Sequence, residues 1–111
     1  MSLAVRFAAI PVQSIAYTSL GVGYMGVGNA VPFPIRQFLI QNLTDATLMF
    51  SFDGVNDHFP LPASGFFLND ISSNQTFNQG WYMAEGTRLY VREIGTPTTG
   101  TVYFSAFYGA V

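Results

Sequence analysis

The sequence predicts an all-β protein, a small antiparallel β-sandwich preceded by an extended amino-terminal arm. Three observations carry that expectation. Aromatic residues make up 16% of the chain, and β-branched residues are more plentiful still. Glycine or proline interrupts nearly every window of helical length, at a cost to a helix interior of about 1 kcal/mol for Gly and about 3 kcal/mol for Pro. Short apolar runs are separated by turn residues at the spacing of sandwiches and barrels. With 111 residues the chain is the size of one domain, large enough to bury a core without covalent staples.

The elements follow in order. Leu3 to Ala9 and Ser14 to Leu20 read as possible strands. The following GVGYMGVGNAVPFP, with its glycines and prolines, reads as no regular element. Residues 1–32 are apolar, unlike a solvated linker, and are read as an arm that lies on a neighbouring copy. Tyr24, Met25, Val31 and Phe33 are its expected partner contacts. The competing reading makes residues 3–20 edge strands of the same sandwich. Residues 33–111 form the expected sandwich domain, of jelly-roll or immunoglobulin-like type. Its strands are Ile35 to Asn42, Thr47 to Phe52, Phe66 to Ile71, Trp81 to Ala84, Arg88 to Ile94 and Thr101 to Tyr108. NLTDA, between the first two, has the composition of a hairpin turn. Alternation places Leu48, Phe50 and Phe52 on one face. It sets Leu89 and Val91 against Arg88, Tyr90 and Arg92, and Val102, Phe104 and Ala106 against Tyr103, Ser105 and Phe107. No βα alternation supports a parallel sheet.

Charge is scarce. Charged residues are 9% of the chain, against about 25% in an average soluble domain. There is no lysine, and the net charge is −2. Nucleic-acid binding depends on Lys and Arg at phosphates, so four scattered arginines argue against it. Half of the residues are hydrophobic. Such a surface is expected to lie against other copies or other proteins. Residues 7–35 are uncharged and long enough to span a bilayer. Their prolines, glycines and polar residues make a poor lipid-facing helix, so no membrane span is expected. The start of the chain has no secretory leader pattern. With no cysteine, disulfides and thiolate metal sites are excluded.

SFDGVNDHF, residues 51–59, concentrates the chain's candidate chemistry, with Asp53, Asp57 and the only histidine, His58. Asp-Gly after an alternating strand is a turn signal. Gly54 is expected at positive φ, with the Asp53 side chain bonding nearby amides. An EF-hand loop is absent, because Gly54 follows Asp53 directly and no glutamate is in range. An irregular calcium site on Asp53, Asn56 and Asp57 is the sharper alternative. One histidine without cysteine cannot build a zinc site in one chain. The S-x-D-G start of a sialidase-type Asp box lacks its tryptophan. No G-x-S-x-G elbow, Walker loop or dinucleotide fingerprint occurs, so no enzyme activity and no cofactor are expected. Asn42-Leu43-Thr44 and Asn74-Gln75-Thr76 match the glycosylation sequon. Trp81 and Tyr82 could stack on a sugar, though a tryptophan in such a protein is more often core.

The segments IQNLTDATLMFSFDG, LPASGFFLNDISSN, EGTRLYVREIG and TGTVYFSAFY together resemble a family of small tailed-bacteriophage virion proteins. The resemblance spans about residues 35–108 and rests on turn and strand residues. It implies a capsid decoration or cement protein, or a ring component of the neck or tail. The implied location is the virion. The implied partners are further copies of the chain and other virion proteins, such as the major capsid, portal or tail proteins. It transfers no catalytic residue. The alternative is a carbohydrate-binding sandwich used in host adhesion.

Overall fold

A computed structural model describes residues 6–70 and 83–110. The chain is a β-sandwich, as expected. Among the described residues there are nine strands in two antiparallel sheets: β1 (Arg6–Ala9), β2 (Gln13–Ala16), β3 (Met25–Gly26), β4 (Gln37–Asn42), β5 (Leu48–Ser51), β6 (Phe59–Leu61), β7 (Phe66–Asp70), β8 (Tyr90–Glu93) and β9 (Thr101–Ala110). The larger sheet runs β1-β9-β4-β7, with β2 also on β9; the smaller runs β3-β8-β5-β6. One 3-10 turn, Tyr17–Ser19, follows β2.

The inner faces follow the alternation in the sequence. Phe38 and Ile40 of β4 and Val102, Phe104 and Ala106 of β9 are buried against Leu48, Phe50, Leu61 and Val91 of the smaller sheet. Fully burying a side chain of this kind stabilises by roughly 1.5–3 kcal/mol. Aromatic contacts knit the two layers. The Phe38 ring meets Phe52, Phe67 and Phe104 edge-on, and Phe59 stacks on Phe50 and meets Phe67 edge-on.

Residues 6–32 correct the arm expectation, because they are built into the chain's own sandwich. β1 and β2 lie end to end along one edge of the ten-residue β9, registering Ala9 with Phe107 and Ile15 with Val102. Pro11 sits in the break between them, where its missing N–H costs no ladder bond. The Met25–Gly26 pair, expected to be irregular, adds to β8 as β3. Val27 and Val31 are buried in the core, their N–H groups donating to the Leu89 and Thr87 carbonyls at 2.8 Å each. An apolar segment had two places to bury itself, a neighbour or its own sheets, and the chain's own sheets take it.

Two further expectations change. NLTDA is not a hairpin turn: β4 belongs to the larger sheet and β5 to the smaller, so the segment arches between layers. Asn42 secures that arch. Its side chain is fully buried, and its Nδ2 donates to the carbonyls of Ala46, Leu61 and Pro62 at 2.9, 3.0 and 3.1 Å. Its Oδ1 accepts from the Thr44 hydroxyl at 2.6 Å and the Thr44 N–H at 3.1 Å. A strand was also missed at Phe59–Leu61. Pro60 obscured it, yet Pro is tolerated on an edge strand, and β6 is the edge of its sheet. Trp81 and Tyr82 of the expected Trp81–Ala84 strand fall outside the described residues; Met83 forms an isolated bridge with Ile35.

Candidate functional site

The SFDG stretch is a turn, as its Asp-Gly pair suggested. Gly54 adopts φ +75°. Asp53 Oδ1 accepts from the Val55 and Asn56 N–H groups at 2.8 Å each and from the Ser51 hydroxyl at 2.8 Å. Its Oδ2 accepts from Asn56 Nδ2 at 2.8 Å. Those donors, the Asn56 and Val55 amides foremost, hold the Asp53 carboxyl far below the usual aspartate range. His58 Nδ1 accepts from the Phe52 N–H at 2.9 Å, which turns Nε2 toward Asp53 Oδ2 at 3.9 Å. Both side chains are thus engaged in closing the β5–β6 loop.

Asp57 does a related job between segments. It accepts Arg92 Nη2 at 2.8 Å and Arg92 Nε at 3.2 Å, and the Tyr24 hydroxyl donates to its Oδ1. Arg92 also lies over the Tyr24 ring, 5.7 Å from its centre. The Arg92 guanidinium is the main cause holding the Asp57 carboxyl low, with the Tyr24 hydroxyl next. Among the described residues no group of three His, Cys, Asp or Glu side chains is placed to hold a metal ion. No helix among them is long and apolar enough to cross a membrane. Asn42, in the first sequon, is spent inside the core. Asn74, Trp81 and Tyr82 lie outside the described residues.

The four expected partner contacts are dispersed. Tyr24 is half-buried in the Asp57–Arg92 clamp, and Met25 is exposed at the start of β3. Phe33 stacks on Tyr108 with ring centres 4.1 Å apart. Val31 is 1% exposed and has no surface to offer.

A different surface stands out on the outer side of the larger sheet. Register lines its outward residues in rows across the strands. Phe66, Gln41, Tyr103 and Ser14 form one row, and Leu68, Leu39 and Ser105 the next. Asp70, Gln37, Phe107 and Ala9 form a third. Leu43, whose N–H donates to the Thr101 carbonyl at 3.0 Å, extends the face at its other end, with Thr101 between it and Ala16. Phe66 is 66% exposed and Leu68 60%, on the edge strand β7. The strands of this sheet carry charge only at Arg6, the first residue of β1, and Asp70, the last of β7. The smaller sheet, in contrast, has Arg92 and Glu93 in β8, with Arg88 beside it over the Tyr90 ring. Antiparallel sheets with one wet face usually alternate apolar with charged or polar residues; here, Asp70 at one corner aside, the outward set is apolar, aromatic, carboxamide or hydroxyl. Outward alternation of uncharged residues was the signal for this face. It was visible in β9 but went unassembled, because the β4–β7 pairing was not legible.

No protein-family model, curated protein or solved structure matches the chain, so its geometry and sequence alone carry the functional reading.

Proposed function

We propose that this chain is a non-enzymatic structural subunit whose sandwich is completed by protein packed on the outer face of the larger sheet. The row structure of that face, uncharged except for Asp70 at one corner, is the observation that carries the reading. Outward Leu39, Leu43, Phe66, Leu68, Tyr103 and Phe107 make a contiguous surface of the kind that marks protein contact sites. The sequence resemblance points the same reading toward a tailed-phage particle, as a capsid decoration or cement protein or a neck or tail ring component. A sandwich that binds in many copies needs only modest affinity at each contact, because linked contacts multiply.

The same face could be read as a glycan platform, since Tyr103 and Gln41 share a row. Its centre opposes that. Leu39 and Leu68 offer no partner to sugar hydroxyls, and burying an unpaired hydroxyl costs roughly 1–3 kcal/mol.

Light scattering across a concentration series tests the association. The mass must rise above the 12.1 kDa of one chain. Added salt must not reverse it, because no ion pair holds an uncharged face. A mass fixed at one chain would overturn the reading. For the particle, antibody labelling seen on purified virions supports it, and label confined to the soluble fraction counts against it.

A further inference from the structure

We infer that the occupant of this face is a second copy of the same chain, packed face to face about a twofold axis through the face's centre. The inference rests on the structural-subunit reading and gives it a partner. Area is the first argument. From Thr101 to Phe107 the face runs about 20 Å along β9, and three strand spacings make it about 14 Å wide, so with side chains it covers roughly 500 Å². Two such faces bury about 1,000 Å² together, the level a specific contact needs.

Self-complementarity is the second argument. An isologous contact sets each surface against itself, so a charged face would repel its mate. This face brings no charge to its centre. Leu39 and Ser105 sit near the midpoint, where a twofold axis sets residues against their own mates. Gln41, one row away, carries a carboxamide that both donates and accepts, so it can pair with its own copy. The geometry is one that sheets already favour. The inner face of the same sheet packs on its partner sheet, and a second sheet can lie at about 10 Å on the outer side with strands within about 30°. Asp70 lies in the outermost row, where water can reach it, in keeping with a polar rim around an apolar centre.

The absence of cysteine makes the test clean. Ser105→Cys puts one thiol near the axis, and Val22→Cys puts one on an exposed loop next to the smaller sheet. A short bis-maleimide is added to each at micromolar protein. Two thiols held in one complex react at an effective concentration on the order of millimolar, so Ser105→Cys should couple to itself on the order of a hundredfold faster than Val22→Cys. Sedimentation should give 24.2 kDa, twice the chain mass of 12.1 kDa. A mass climbing past two copies, with Ser105→Cys slow to couple, overturns the twofold dimer while leaving the structural-subunit reading in place. A monomer at every concentration overturns both. A monomer whose β9 amide signals shift with an added neutral glucan oligosaccharide gives the face to a sugar, and also overturns both.

Discussion

A Cβ on Gly100 would stand 2.0 Å from the carbonyl oxygen of Leu43. The two residues meet where the arch after β4 crosses the start of β9. Gly100 has φ +102°, a conformation closed to ordinary side chains. The obstacle is backbone, so no rotamer change relieves it. Gly100→Ala is expected to cost at least about 2–3 kcal/mol in strain and displacement. A urea midpoint lowered with the slope unchanged would check it.

Asn42 offers a second test of the same arch. Asn42→Leu keeps the volume near constant but removes the side-chain donor to the Leu61 carbonyl and the acceptor of the Thr44 N–H, while the Ala46 and Pro62 carbonyls keep the Thr44 hydroxyl and the Gly65 N–H as donors. Each buried group left unpaired costs about 1–3 kcal/mol, so a total loss of at least about 2 kcal/mol is expected. Thr44→Val should cost less, because it removes one hydroxyl and leaves the three bonds from the Asn42 carboxamide to the carbonyls intact. Thermal unfolding of the two variants side by side gives the order.

Removing residues 1–32 separates the observed fold from the arm that the sequence suggested. An arm would leave a folded sandwich behind. Here the deletion takes β1, β2 and β3, strips one edge of β9, and removes Val27 and Val31 from the core. The truncated chain is expected to lose its near-ultraviolet circular dichroism and its cooperative melt.

The contrast shows what the sequence made legible. Strands such as Thr101 to Tyr108 announce themselves because alternation follows from the pleat alone. The Asp53-Gly54 turn is likewise local, set by a side chain and the amides within three residues of it. Pairing is not local. Nothing in GVGYMGVG says that one Val, Val27, is buried while the other, Val22, is 85% exposed at a loop tip. Only β8, more than sixty residues on, decides it. The outer face was hidden for the same reason, since Phe66 and Leu68 become neighbours of Gln41 and Leu39 only when β7 docks on β4.

Acid should weaken the fold through three carboxylates. Asp53 is held low by the Asn56 and Val55 amides, Asp57 by Arg92 and Tyr24, and Asp45 by the Thr98 hydroxyl and amide. Each is depressed from an ordinary value of 3.8. A carboxylate with a depressed folded-state pKa contributes stability that is complete above the unfolded value and is lost as pH falls through the folded one. The melting temperature should be flat from neutral pH to about 5 and then fall below about 4. Asp53→Asn, which leaves nothing to protonate there, should flatten part of that fall.

The central claim is that association runs through the outer face of the larger sheet. Sedimentation equilibrium of the wild type, Leu68→Arg and Val22→Arg over one concentration range tests it most directly. Both substituted side chains are exposed, so both variants should fold. A charge at Leu68 would have to be desolvated on contact, a cost of several kcal/mol, so Leu68→Arg should stay at 12.1 kDa while Val22→Arg associates like the wild type. Equal association of all three proteins would contradict it.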